Sequence, residues 1–343
     1  MIRYLALEEL EQRYTRMMNK SIIKHLQKLS VSFMYYYPVN RDYNTIEVGE
    51  FLDVNRTCEF KARQLGMVAN DFANRAIQDG DIFLVGDIFF PGIEMIRYMA
   101  ELQDIRIKIY GFNYAGRADP DDYVQKLGIW ADLSEQGYHA VCDMVFVGSS
   151  YHARQVKEHF GIPNVKKTGL VWDTEIVSSY VKPGQPKGNY MIWPHRLCPE
   201  KGVAEFLQYA RSTTYDIIIT SSGYKKAWPV ERYGPLPKNV SYISGLSKHK
   251  YYGIMAGAKR YLSTARQETF GYTLHEAMLY GCQIVAPNRV CYPEMLPNQC
   301  LYESVEDIDK IFEKHGDRLK IHDSMKCCHD KNARKILKWI LEQ

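Results

Sequence analysis

The chain has 343 residues, which suits two domains of ordinary size. Hydrophobic residues at 46% and charged residues at 24% describe a globular protein, and no apolar run is long enough to span a bilayer. The formal net charge of +4 is compatible with an anionic donor, a nucleic-acid acceptor or an anionic membrane surface, and selects none of them. Glu8, Glu9 and Glu11 interrupt any apolar core near the start, so no signal peptide is expected. The eight cysteines form no CxxC pair, and Cys327-Cys328-His329 is too tight for a four-ligand zinc site. Reduced thiols in a cytoplasmic protein are the expectation.

Met1 to Leu7 reads as a strand and Glu8 to Leu29 as a helix, with Leu10, Tyr14, Met17, Met18, Ile22, Ile23, Leu26 and Leu29 at helical spacing. Val31 to Tyr37 is a strand, Pro38 to Asn44 a loop, and Phe51 to Gln78 mostly helical. A buried strand over Asp81–Val85 ends in Gly86-Asp87, and Pro91-Gly92 opens a helix. Ile105 to Tyr110 is a strand ending in Gly111-Phe112-Asn113-Tyr114. Val141 to Val147 is a strand, followed by a helix from about Tyr151 to His159, and Val165 to Leu170 closes the first half. Strands alternating with helices predict a doubly wound parallel sheet.

Lys182-Pro183-Gly184-Gln185-Pro186-Lys187-Gly188-Asn189 has the composition of an interdomain hinge. The pattern then restarts. Strands are expected at Tyr190–Trp193, Tyr215–Thr220 and Val240–Ile243, and helices at Gly202–Ala210 and Lys248–Ala256. Ser221 to Asn239 is a loop, in which Lys225, Lys226 and Trp228 are solvated or contact a substrate. Asn332 to Leu341 places Ile336, Leu337, Ile340 and Leu341 on one face of a closing helix.

The second half carries two motifs. Lys259 to Thr264 is strand-like, Tyr280-Gly281 stops a helix, and Gln283 to Pro287 is a second strand. Between them, Glu268-Thr269-Phe270-Gly271-Tyr272-Thr273-Leu274-His275-Glu276 is a loop running into a helix start. Ligands bind there in open parallel sheets, and free N–H groups at a helix start favour an anion such as a diphosphate. Thr273-Leu274-His275-Glu276 is also a capping-box spacing, in which Glu276 would only satisfy the helix start. The other motif, Pro194-His195-Arg196-Leu197-Cys198-Pro199-Glu200-Lys201-Gly202, follows the first strand of that half. Its two cations, five positions apart, make a cradle that would stabilise charge on a departing diphosphate.

At these residues the chain resembles a known family. Glu-x-Phe-Gly, seven residues between two glutamates, and Glu-Ala-Met-x-x-Gly resemble the nucleotide-binding motif of retaining glycosyltransferases of the large sucrose-synthase-like and mannosyltransferase-like family. The resemblance implies the α/β GT-B fold, two Rossmann-like domains facing across a cleft. It divides the chain into an acceptor-side domain of residues 1–183, a nucleotide-sugar domain of 184–325, and a helix within 326–343 that packs back on the first domain. It assigns the donor sugar to Glu268, the ribose to Glu276, and the diphosphate to Arg196, Lys201 and backbone N–H groups of Gly271, Tyr272, Thr273 and Leu274 behind Phe270. Gly245 and Leu246 would lie against the base.

The implied reaction is transfer of a hexose or related sugar to an acceptor hydroxyl, with retention by front-face displacement. No bound cofactor or metal is implied, and a UDP- or GDP-sugar is the expected co-substrate. The match is specific only from about Tyr190 to Pro297. The first strand lacks the glycine turn that relatives carry, and the strand ending at Asn113 lacks their histidine. Asn113 is therefore the polar group assigned there, with Asp119, Asp121, Asp122 and Gly86-Asp87 as further candidates. His195 and His275 are expected to support the motifs from behind. The acceptor is a glycan, a small molecule or a nucleic acid such as DNA with hydroxymethylated bases. A GT-B sugar-nucleotide epimerase, a phosphorylase and a non-catalytic sugar-nucleotide-binding subunit are the alternatives. The first two would act without any added acceptor, and the last would bind without turnover.

Overall fold

The computed structural model describes residues 1–10, 13–38, 53–221, 227–321 and 332–343. Most of the loop expected at Pro38–Asn44, together with Lys225, Lys226 and Cys327 to His329, lies outside them. The described residues fall into two compact units. The first holds 1–10, 13–38, Asp53–Asp173 and 332–343, and the second holds 174–221 and 227–321.

In the first unit, six strands make one sheet: β1 (Ile2–Leu5), β2 (Phe33–Tyr36), β3 (Ile82–Val85), β4 (Lys108–Asn113), β5 (Met144–Val147) and β6 (Val165–Lys167). Their order is β2-β1-β3-β4-β5-β6, and every neighbouring pair is parallel. Parallel strands need helical crossovers, which cover both faces, so the strands read as continuous apolar runs. Phe83, Leu84 and Val85, and Val145, Phe146 and Val147, are fully buried. Each contributes about 1.5–3 kcal/mol from burial. The crossover helices start where the sequence supplies caps. Asp53 accepts from the Arg56 N–H at 3.1 Å ahead of helix Val54–Ala73, and Ser149 from the His152 N–H at 3.2 Å ahead of helix Ser150–Phe160.

Three elements depart from the expectation. The first helix spans Thr15–Lys28 and not Glu8 onward, because the buried Asn19 side chain holds both backbone groups of Leu7, at 3.1 and 2.8 Å. The Leu10 N–H is likewise taken by the Thr15 hydroxyl. Strand β4 runs three residues beyond Tyr110, since its register is set by pairing of Asn113 with Val147. Helix Ile129–Ala140 was not anticipated; exposed Ile129, Trp130 and Leu133 blur its apolar stripe. The last helix, Asn332–Glu342, packs beside Thr15–Lys28 in this unit, with Trp339 edge-on to Tyr110 and Phe146.

A buried charge network ties β1 to β3. Arg3 is 1% exposed, its Nε donates to Asp81 Oδ2 at 2.7 Å and its Nη1 to the Tyr36 hydroxyl at 2.7 Å. Burial pushes the Asp81 carboxyl up, but the bonds from Arg3 and the Gln78 N–H outweigh it and hold it below the usual value. A depressed carboxylate stabilises the fold above its unfolded value, and the contribution disappears as pH falls through the depressed one. Asp81→Asn leaves Arg3 under-compensated and is expected to cost about 3 kcal/mol at neutral pH. Chemical unfolding at pH 7 and in acid checks this; equal losses at both pH values would refute the charge origin.

The second unit repeats the architecture with β7 (Gly188–Trp193), β8 (Asp216–Ser221), β9 (Val240–Ser244), β10 (Ala258–Leu262), β11 (Gln283–Pro287) and β12 (Leu301–Tyr302). The order is β12-β11-β10-β7-β8-β9, again all parallel. This unit begins at Thr174, so the Pro/Gly-rich segment 182–189 lies inside it. The Tyr280 hydroxyl donates to Val177 O at 2.8 Å, and the Tyr180 ring packs on His249 and Tyr252. Prolines and glycines mark a turn in the chain; side-chain contacts decide which unit holds it. The chain runs β7, β8, β9 in one direction and then returns to place β10 on the other side of β7. The carboxyl ends of β7 and β10 therefore flank a topological switch point, where open α/β sheets bind ligands.

Candidate functional site

Both sequence motifs lie at that switch point. The loop Pro194–Lys201 follows β7, and the loop Ser263–Gly271 follows β10. They are laced together. The Trp193 indole donates to the Thr264 hydroxyl at 3.0 Å, and that hydroxyl lies 2.9 Å from Lys201 O. The N–H groups of Arg266 and Gln267 both donate to Glu200 O, at 2.9 and 3.0 Å. Gly202 has φ +66°, and a Cβ there would stand 2.1 Å from Thr264 O. Only glycine lets the two loops approach this closely.

Lys201 is 8% exposed. Its Nζ donates to Gln267 O at 2.7 Å and lies 3.3 Å from Glu268 Oε2. The other carboxylate oxygen, Oε1, accepts from the Gly271 N–H at 3.0 Å. Burial pushes the Glu268 carboxyl up, but Lys201 and the Gly271 N–H outweigh it and leave it below the usual value. Glu268 is thus an anion through the neutral range, fixed between a cation and a helix start. Arg196 stands against Glu200, Nη2 to Oε1 3.2 Å, with 19% of its side chain exposed. His195 is buried against the Trp193 ring, and burial first, then Lys201, lowers it to about 3. It is neutral in the folded protein.

Gly271, φ +74°, caps helix Tyr272–Leu279. It starts the helix behind the buried Phe270, and the N–H groups of Leu274 and His275 turn back onto its carbonyl at 2.9 and 3.2 Å. The Thr273 hydroxyl pairs with that of Tyr261 at 3.0 Å, and Leu274 is buried. Glu276 is no capping-box residue. Its carboxylate accepts from the hydroxyls of Tyr251, at 2.5 Å, and Tyr252, at 2.9 Å, both on helix Lys248–Gly257. Burial raises its pKa, with Lys248 and the two tyrosines opposing. Gly245, at φ +65°, and Leu246 form the turn between β9 and that helix. His275 is buried against Phe270.

The structure therefore gathers Lys201, Glu268 and Gly271 within hydrogen-bond reach of one another and fixes Arg196 on the same loop through Glu200. Asn113 belongs to the other unit. It is 2% exposed, and its amide nitrogen meets His139 Nε2 at 3.1 Å. Asp119 and Asp122 cap local turns there, and Asp87 pairs with Lys61 at 3.1 Å. Sequence reasoning missed Thr264, Glu200 and the tyrosine pair. Thr264 and Glu200 act through backbone and loop contacts that leave no spacing signal. Tyr251 and Tyr252 are adjacent on a helix whose orientation only the packing fixes. Among the described residues no three His, Cys, Asp or Glu side chains converge as a metal site, and no helix is long and apolar enough to cross a membrane.

No protein-family model matches the chain. A tRNA-queuosine alpha-mannosyltransferase of Drosophila melanogaster is 27% identical to it over 135 residues, 35% of this chain and 34% of that protein. The match thus spans about a third of that relative's length. Among solved structures, a sucrose-phosphate synthase from Thermosynechococcus elongatus superposes with a TM-score of 0.67 at 9% identity, covering 99% of this chain and 94% of the other. A lipopolysaccharide outer core galactosyltransferase does so at 0.62 and 13% identity, covering 99% of each chain. Identities this low carry architecture and not substrate. With its two parallel six-stranded sheets and interleaved helices, the chain has the GT-B fold of these glycosyltransferases.

Proposed function

We propose that this protein is a retaining glycosyltransferase that moves a sugar from a nucleotide-sugar to an acceptor hydroxyl. The observation that carries the reading is the pairing of Lys201, Glu268 and the Gly271 N–H at the switch point between β7 and β10. A buried cation and a helix start supply positive potential for a diphosphate, and an ionised carboxylate beside them accepts hydroxyls of a sugar. Arg196 is the second cation for the leaving group, and Glu276, steadied by two tyrosines, accepts the ribose hydroxyls. Gly245 and Leu246 border the base. The departing phosphate itself takes the acceptor proton, so Glu268 positions the sugar and does not attack it.

Thermal melting against UDP, GDP, ADP, CDP and TDP tests the donor site. A nucleotide at 100 times its dissociation constant is expected to add about 2.7 kcal/mol to the second unit. Arg196→Ala should abolish most of that shift. No response to any of the five nucleotides would overturn the reading.

The acceptor reading favoured by a specific observation is a nucleic acid. The Drosophila protein that matches part of this chain is named for a modified nucleoside of tRNA. Radiolabelled sugar transfer into RNA or DNA, against transfer into free glycans, separates the acceptor classes.

A further inference from the structure

The two adjacent helices on one side of the first unit's sheet, Thr15–Lys28 and Asn332–Glu342, have an uneven charge content. The first carries Arg16, Lys20, Lys24 and Lys28 and no carboxylate. The second carries Arg334, Lys335 and Lys338 and only Glu342. That is seven cations against one anion. The whole chain has 44 against 40, so the remainder is slightly acidic at 37 against 39. The mild basic excess of the protein is therefore concentrated on this face.

The buried stripes of the two helices fix which residues look outward. Met17, Met18, Ile22 and Leu26 face the core in one, and Ala333, Ile336, Leu337 and Ile340 in the other. The four-residue spacing of Arg16, Lys20, Lys24 and Lys28 then lays a cation about every 6 Å along the opposite side. Two of them are engaged: Lys24 with Asp173 at 3.0 Å and Arg16 with Glu9 at 3.6 Å. Lys20, Lys28, Arg334, Lys335 and Lys338 are exposed, and among the described residues no carboxylate lies within 4 Å of them. Lys166 extends the patch, held 4.2 Å over the Trp339 ring.

We infer that this face binds the phosphate backbone of a nucleic acid. Five exposed cations on two packed helices would neutralise phosphates and release their counterions, and that release drives sequence-independent binding. The face lacks what a membrane needs. No large apolar residue is exposed on helix Thr15–Lys28, and only Leu341, at 44%, is exposed on the other. The inference rests on the nucleic-acid acceptor reading above and adds a surface of the first unit to which such an acceptor would bind.

Fluorescence anisotropy of the full chain with a labelled single-stranded RNA and with duplex DNA, between about 50 and 200 mM salt, tests it. Five contacts predict a slope of log K against log salt of roughly −3.5 for the single strand. Reversing four charges, with Lys20→Glu, Lys28→Glu, Arg334→Glu and Lys338→Glu, should weaken binding at least about 100-fold and flatten the slope to above roughly −1. The corresponding alanine set, which perturbs folding less, should fall between. Melting with whichever of the five nucleotides stabilises the wild type is run on every variant. An unchanged nucleotide response with lost RNA binding supports the inference and leaves the donor site untouched. Three results would overturn it: no nucleic-acid binding by the wild type, equal binding by the charge-reversed protein, or binding only to phosphatidylserine vesicles. No response of the wild type to any of the five nucleotides would instead count against the donor reading.

Discussion

Glu268→Ala is expected to lower kcat by about 100-fold or more while the protein still binds nucleoside diphosphate. The two halves of this expectation come from different atoms. The diphosphate would be met by Arg196, Lys201 and the N–H groups at the start of helix Tyr272–Leu279, all of which survive the substitution. Lys201 keeps its 2.7 Å bond to Gln267 O and so stays in place. What disappears is a fixed anion between Lys201 and the Gly271 N–H, which would hold the sugar against the bond that breaks. Losing one preorganised polar group of this kind costs about 100–1,000-fold in kcat in other enzymes. Glu268→Gln should retain part of the activity, because its amide oxygen still accepts from the Gly271 N–H. Steady-state kinetics beside nucleotide titration reads both quantities. Turnover near wild type would remove Glu268 from the mechanism, and loss of nucleotide binding would make it a structural residue of the cradle.

Gly202→Ala should be the most damaging of the conservative substitutions. The backbone at φ +66° already disfavours a side chain by about 1 kcal/mol. The larger cost is the clash, because the Cβ would stand 2.1 Å from a carbonyl oxygen that cannot rotate away. Thr264 is held from several sides: its hydroxyl by the Trp193 indole and its carbonyl by Arg289 Nη2 at 2.9 Å. The loops after β7 and β10 must part, and with them Lys201 and Glu268. We expect a loss of about 3 kcal/mol or more in urea unfolding, together with loss of turnover. Gly80→Ala is the control. Its φ is +83° with nothing within 4 Å of the added carbon, so only the backbone cost of about 1 kcal/mol should appear. Equal effects at the two positions would show that the close approach of the loops carries no energy.

Much of this architecture is legible in the residues. Runs such as Ile82-Phe83-Leu84-Val85 and Met144-Val145-Phe146-Val147 are strands buried on both faces, and nothing else accommodates them so close to helical stretches. The punctuation is equally local, with Gly271 and Gly281 bounding helix Tyr272–Leu279. Where the reading failed, a distant partner had taken over. Asn19 draws the segment after β1 out of the helix that its apolar spacing allows. β12, with two residues paired to β11 at the edge of the sheet, is too short to leave an alternating pattern.

The site divides in the same way. Its chemistry is written in the sequence: cations at Arg196 and Lys201, carboxylates at Glu268 and Glu276, and a glycine turn ahead of a helix. Sequence spacing also set Glu268 and Gly271 near one another, because a loop of three residues cannot separate them far. What the spacing could not decide is that β10 lies beside β7 and not beside β9. Strand order is a property of non-local pairing, and it alone brings Lys201 to Glu268 across 67 positions of chain. The same holds for Glu276, whose role turns on whether its carboxylate reaches back to its own helix or across to Tyr251 and Tyr252. Local propensity favours the first. Packing of two helices against one another enforces the second, because it buries the carboxylate within reach of those two hydroxyls.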